Sequence, residues 1–417
     1  MIYLHIGAMK TGTTYLQDLM WHNRAALLDA GVLLPGRRWA DQDRAVRDVL
    51  GFSTSDPRDR ALNEGMWRRL AGEMLAHRGT SVLSMEFLSF ADPERAAEVV
   101  SSLEGADVHV VLTVRDAVTA LPAQWQTACR TGARLPFREL IRGARHHLEG
   151  TEPKRPKGLR MFQRTQDIPR MLDVWVPLVG RRRVHVITVP PRGSSPRLLW
   201  ERFAGVVGVD PALCVDLEQP SNTSLGHTSS ELLRRLNVSL GRIPPLDYAR
   251  VVKGPLARRI LSERSGLEPP VRLDRPGLNV AARWNERVRE AIQTHRVQVV
   301  GDLDELPVTR PGPDAPADLF RPSDEELLAA AATAYVGLAR LRAELEAELD
   351  EAPRPAEAGD AGPVVAPEQA WSAQDEPVTA AVDEIADLVR ACVALKRRVK
   401  DDAEGDETTS AATEPTG

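Results

Sequence analysis

The chain has 417 residues, 42% of them hydrophobic, with 31 prolines and 29 glycines, which suits one large domain plus an extension. No apolar run approaches the roughly 20 residues that cross a bilayer, and three scattered cysteines, Cys129, Cys214 and Cys392, argue against a disulfide framework and show no metal-ligand spacing. Net charge is −5, yet residues 321–417 hold 22 acidic against 9 basic side chains, so the first 320 residues carry +8, a balance that suits an anionic ligand. No basic, aromatic-interleaved stripe or nucleic-acid reader motif is present, so nucleic acid is not an expected partner. The first residues lack a basic segment followed by a long apolar one. No signal peptide is read there, and a cytoplasmic location is expected.

Ile2–Gly7, "IYLHIG", is a short apolar strand, and Thr13–Ala30 follows as a helix with Leu16, Leu19 and Met20 on one face. The pattern then predicts a helix around Trp67–Ala76, a strand over Thr80–Glu86, a strand over Asp107–Arg115 and a helix from there to about Arg130. Residues 131–165 are polar and strongly basic, with "RHH" at Arg145–His147 and "KRPKGLR" at Lys154–Arg160. That length without strands reads as a lid or substrate loop, or equally as a solvated insertion. A helix around Met171–Val179, a strand over Arg183–Pro190 and a helix ending at Gly208 continue the alternation. The expected fold is α/β, a P-loop-type parallel sheet flanked by helices, with ligands outside the carboxyl ends of the strands. Three of those ends carry Lys10, Glu86 and Arg115.

Beyond residue 310 the composition shifts. Residues 311–323 read as a linker, 324–351 as a long helix, and 352–417 as a Pro/Ala/Glu-rich acidic tail with a helix near 379–400 and disorder elsewhere. Residues 1–310 are then expected to fold as one α/β domain without the tail. The tail helices are candidates for self-association or for a protein partner.

The first strand runs into "GAMKTGTT", Gly7–Thr14. A strand-to-helix turn of this kind aims backbone N–H groups at an anion and adds the helix dipole. Gly7 and Gly12 have the separation of G-x-x-x-x-G-K-[ST], and Thr14 supplies the hydroxyl, but Thr13 stands where nucleotide hydrolases need lysine. Lys10 lies earlier in the turn, which argues against an ordinary NTPase.

The order Lys10, Thr11, Gly12, Thr13, Thr14 resembles the 5′-phosphosulfate loop of the sulfotransferases that use 3′-phosphoadenosine 5′-phosphosulfate, P-K-[ST]-G-T-T, with Met9 in place of proline. In "VLTVRDAVTALPAQW", Arg115 matches the arginine that holds the 3′-phosphate in that family, and Ala123 stands at the position of its serine. "GVLLPG", "LLWERFAGVVGVDP", "NTSLGHTSSELLRRLN" and "VVGDLDEL" are similar to segments of a bacterial branch, which extends the resemblance over roughly residues 1–310. The resemblance implies transfer of a sulfuryl group from that co-substrate, without a metal, to a hydroxyl or amine of a small-molecule, carbohydrate or lipid acceptor. It implies that Lys10 stabilises the departing phosphate and that Thr11, Gly12, Thr13 and Thr14 bind it. Arg115 would hold the 3′-phosphate. Asn222 and Ser224, in "SNTSLG", are similar in position to a loop at the adenosine bisphosphate end, although a helix-capping turn explains them as well.

A general base completes the chemistry. Glu86 ends its strand at the place where the family keeps a histidine or glutamate, and His5 is its competitor, read otherwise as a buried strand histidine. His146 and His147 are candidates for acceptor binding. Trp125 and Phe162 are candidates for stacking, with core packing as the default. Two other readings stay open: a nucleotide kinase or NTPase, and a non-catalytic binding protein that kept the fold.

Overall fold

The computed structural model describes the chain apart from residues 53–56, 155, 196, 216–224, 350–364 and 412–417, with no side-chain description at 58 and 400–411. Among the described residues six strands, β1 (Ile2–Gly7), β2 (Val32–Leu33), β3 (Thr80–Ser84), β4 (Val108–Val114), β5 (Val184–Thr188) and β6 (Gln298–Val300), form one sheet in the order β2-β3-β1-β4-β5-β6. Every described pairing is parallel. The four central strands are those the sequence predicts. β1 is buried along its whole length, as a strand covered on both faces must be. The chain leaves β1 toward β2 and β3 and leaves β4 toward β5 on the other side. A crevice therefore opens at the carboxyl ends of β1 and β4, where parallel sheets bind ligands.

The helix after β1 is shorter than expected. α1 (Thr13–His22) stops at Asn23, whose amide Nδ2 donates 2.9 Å to the Leu19 carbonyl and competes with the helical bond there. A second short helix, Arg24–Asp29, follows. Leu16, Leu19 and Met20 enter a core with Tyr3, Val82 and Val111 from the strands and Phe203 from Leu198–Val207.

Packing divides the chain into two compact units, residues 1–124, 138–221 and 273–318 in the first, and 125–137, 222–272 and 319–417 in the second. The first unit holds the sheet. α2 (Ala117–Arg130) follows β4 and carries Pro122 within it. The basic segment expected as a loop is helical: α3 (Phe137–Glu149) and α4 (Lys157–Gln166). The two backbones touch, since a Cβ at Gly143 would fall 2.2 Å from the Gly158 carbonyl carbon, and Leu140 and Ala144 are buried. The polar residues lie on the outer side of an amphipathic pair, which hides the helical period in a count of charges. α5 (Arg275–His295) closes this unit, and Arg275 donates its backbone N–H to the Pro316 carbonyl at 2.6 Å, tying down part of the expected linker.

The second unit is helical. His227–Leu240 and a π-helical stretch, Ala249–Ile260, pack with α6 (Asp324–Leu349) and α7 (Pro377–Ala411). The tail helices are thus core elements of this unit, with Leu232, Leu236, Leu338, Ile385 and Val389 all buried. Trp371, in a stretch expected to be disordered, is buried and donates Nε1–H to Glu384 at 2.5 Å. The expectations for 352–364 and for the last six residues lie outside the described residues. Among the described residues no helix is long and apolar enough to cross a membrane.

Candidate active site

The loop after β1 is built from three left-handed residues, Gly7 (φ 101°), Lys10 (φ 66°) and Gly12 (φ 84°). Glycine has no Cβ to clash there; for lysine the conformation costs about 1 kcal/mol. Gly7 has a second reason: a Cβ would lie 3.1 Å from the Cβ of Glu86, so its smallness lets the loop press against that carboxylate's residue. Gly12 is the N-cap of α1, no side chain caps the helix, and no acidic residue stands in its first turn. An uncapped helix N-terminus preceded by a glycine-rich turn favours an oxyanion. That is the donor set a 5′-phosphate needs, and the residues present fit such a group.

A buried hydroxyl network holds the loop from below. Thr113 Oγ1 donates to the Gly7 carbonyl (3.1 Å), meets Thr11 Oγ1 (2.5 Å) and contacts His5 Nε2 (3.2 Å). Thr11 Oγ1 also reaches the Ala8 carbonyl at 2.5 Å, and the Ala8 N–H donates to the Thr113 carbonyl at 2.9 Å. From above, Gln166 at the end of α4 donates to the Met9 carbonyl at 2.9 Å. Thr11 and Thr13 are buried, Lys10 is half-buried and Thr14 is exposed. The Thr11 hydroxyl thus braces the loop from within.

Glu86 opens a 3-10 turn, Glu86–Phe90, directly after β3. Gln17 of α1 donates to Glu86 Oε2 (3.0 Å) and to the Ser84 carbonyl (3.0 Å), fixing the carboxylate beside the loop. His5 is fully buried between Ser84 Oγ (2.8 Å from Nδ1) and Thr113, and burial pushes its pKa down to about 3. It is a neutral core histidine that supports the sheet. Burial lowers the pKa of the Arg115 guanidinium, and the cation of Arg192 adds to the shift while Asp116 opposes it. Arg115 Nη1 makes a long contact, 3.5 Å, to the Lys10 carbonyl. Its backbone position is fixed by Asn285 on α5, which accepts from Ala117 N–H (3.0 Å) and donates to Asp116 (2.8 Å).

Lys10, Glu86 and Arg115 therefore follow the carboxyl ends of three neighbouring strands, β1, β3 and β4. Ala123 is half-buried on α2, two turns beyond Arg115. Asn222 and Ser224 lie outside the described residues. His146 bonds Thr151 (2.7 Å) and His147 pairs with Asp167 (3.1 Å), both within the α3–α4 region. Trp125 and Phe162 are fully buried core residues. Sequence reasoning missed Gln17, Thr113, Gln166, Asn285 and Arg192. Gln17 sits one turn beyond the loop on α1, a position that helix periodicity alone could have aimed at the strand end.

The crystal structure of a sulfotransferase from Alicyclobacillus acidocaldarius aligns with this fold at a TM-score of 0.36 and 16% identity, over 60% of this chain and 94% of that one, a distant and partial likeness. No family model and no curated protein matches the chain.

Proposed function

We propose that the chain transfers a sulfuryl group from 3′-phosphoadenosine 5′-phosphosulfate to a hydroxyl or amine of a small-molecule, carbohydrate or lipid acceptor. The supporting observation is the loop itself: Lys10-Thr11-Gly12-Thr13-Thr14 wraps an uncapped helix N-terminus, with Glu86 packed against Gly7. When bound, the co-substrate supplies an activated sulfuryl group on a phosphate leaving group.

The chain's own residues have distinct tasks in this reading. Thr13, Thr14 and the loop amides hold the 5′-phosphate, with Thr11 and Gly12 shaping the turn. Lys10 places an ammonium where negative charge grows on the leaving oxygen, the kind of fixed electrostatic stabilisation that carries much of such catalysis. Sulfuryl carries less charge than a terminal phosphoryl group, so a lysine serves in this reading without a metal. Arg115 holds the 3′-phosphate, and Asn222 and Ser224 serve the same end of the ligand. Glu86, oriented by Gln17, takes the acceptor proton. Titration calorimetry with adenosine 3′,5′-bisphosphate, compared with ATP in the presence and absence of magnesium, tests the proposal. Metal-independent binding of the bisphosphate supports it; tight magnesium-dependent ATP binding in its place points to a nucleotide kinase or NTPase, and binding of neither removes the catalytic reading.

A further inference from the structure

The 3-10 turn that begins with Glu86 also presents two aromatic rings. Phe87 and Phe90 stack with centroids 5.4 Å apart, and Phe52 joins them at 6.1 and 6.4 Å. All three residues are half-buried, so each keeps part of its surface open to solvent. Two guanidinium groups lie over this trio. Arg164 Cζ stands 4.5 Å from the Phe90 centroid and 5.3 Å from that of Phe52, and Arg47 stands 5.1 Å from Phe87.

The two cations differ in their partners. Arg47 is paired with Asp43 at 2.7 Å. Among the described residues Arg164 has no carboxylate partner; the ionisable neighbour it feels is the like-charged Arg47. Arg164 is exposed and rides on α4, whose last residue, Gln166, holds the Met9 carbonyl of the phosphate loop. An exposed guanidinium with no carboxylate partner among the described residues thus stands on an aromatic base, carried by the helix whose end holds the loop and set over the turn that opens with Glu86.

A guanidinium stacked on one ring keeps its other face for a second ring and its N–H edge for an oxyanion. Building on the transfer reading above, we propose that this surface docks the acceptor and that the acceptor is an aryl compound bearing an oxyanion. The exposed parts of the three aromatic residues and the outer face of Arg164 receive the aryl group. The Arg164 edge receives the oxyanion. Lysine would not replace arginine here, because an ammonium neither stacks nor presents a planar pair of donors.

The test uses para-hydroxybenzoate as probe on the full chain, beside neutral para-hydroxybenzyl alcohol and non-aromatic 4-hydroxycyclohexanecarboxylate, with affinities read by calorimetry or ligand-observed NMR. Para-hydroxybenzoate should bind tightest. Arg164→Gln should weaken it about tenfold and leave the neutral alcohol unchanged. Phe90→Leu should weaken both ring compounds. Adenosine 3′,5′-bisphosphate affinity should be unaltered in both variants, which also certifies their fold. Equal binding of the three probes, or para-hydroxybenzoate affinity unchanged by Arg164→Gln, overturns the proposal. Bisphosphate binding that fails while the probe pattern holds removes the transfer reading and leaves the aryl-oxyanion site standing.

Discussion

Replacing Thr113 by valine keeps the shape of the side chain and its preference for a strand while deleting one hydroxyl. That hydroxyl has three contacts: the Gly7 carbonyl at 3.1 Å, Thr11 Oγ1 at 2.5 Å and His5 Nε2 at 3.2 Å. Thr113 and His5 are fully buried, so water does not replace what is lost. Thr11 keeps its bond to the Ala8 carbonyl. The Gly7 carbonyl and His5 Nε2 lose this partner, and a buried polar group left unsatisfied costs about 1–3 kcal/mol. The expected destabilisation is about 2–4 kcal/mol, a large part of the roughly 5–15 kcal/mol that holds a domain folded. The urea midpoint followed by tryptophan fluorescence reads the stability, and calorimetry with adenosine 3′,5′-bisphosphate reads the loop. Thr113→Ser keeps the hydroxyl and should retain most of the affinity although it also loses a methyl group. A valine variant with an unchanged midpoint and full affinity would refute the reasoning, because the network would then carry neither the sheet end nor the loop.

Lys10→Ala should abolish transfer while the protein stays folded, since alanine meets the same left-handed backbone; sulfate transfer measured under full turnover is the check, and retained activity removes Lys10 from the chemistry. Glu86→Gln keeps the bond to Gln17 possible and removes the proton acceptor, so the transfer rate should fall roughly 100- to 10,000-fold with bisphosphate affinity nearly unchanged. His5 gives a pH prediction. Its folded pKa is depressed to about 3 against an ordinary 6.5, so below pH 6.5 the unfolded chain gains a proton that the folded chain refuses. Stability from this group is therefore complete above pH 6.5 and falls by about 1.4 kcal/mol per pH unit toward pH 3, about 2 kcal/mol by pH 5. In His5→Asn the stability difference between pH 7 and pH 5 should shrink by that amount, and an identical pH dependence in both proteins counts against a buried neutral imidazole. Truncation after residue 312 should expose the apolar faces of His227–Leu240 and the π-helical stretch, and the product should aggregate; a soluble truncated protein with full bisphosphate affinity would show that α6 and α7 are dispensable.

The geometry of the candidate site was legible where the chain itself constrains it. Gly7, Lys10, Gly12 and the threonines sit in one continuous turn, so spacing alone fixes what they do to the backbone. Glu86 and Arg115 could be read because parallel strands bring their carboxyl ends together, and β-branched runs mark those ends. Gln17, Thr113 and Asn285 could not be read so readily. Each acts across the fold on a residue 69, 106 or 168 positions away, and a lone polar side chain in an apolar run names no partner. The short strands β2 and β6 hold too few residues to carry a period of two. The aromatic trio is split between Phe52 and the Glu86 turn, so no window of sequence contains it.

The second unit was hidden for a different reason. Of the acidic residues of α6, Asp324, Glu325, Glu344, Glu346 and Glu348 are exposed and Glu326 is half-buried, while Leu327, Ala330, Ala331, Ala334, Leu338 and Leu341 face inward. An alanine stripe buries little area per residue and so reads as a solvated helix. It works here because small residues let a neighbouring side chain press onto the helix, to the point that a Cβ at Gly337 would lie 2.6 Å from the Ile260 side chain. The most extensive packing of α6 is with α7, across residues whose composition reads as a tail. Net charge over a segment reports the face turned to water. A domain boundary follows the face turned away from it, and the partner of that face can lie fifty or a hundred residues along the chain.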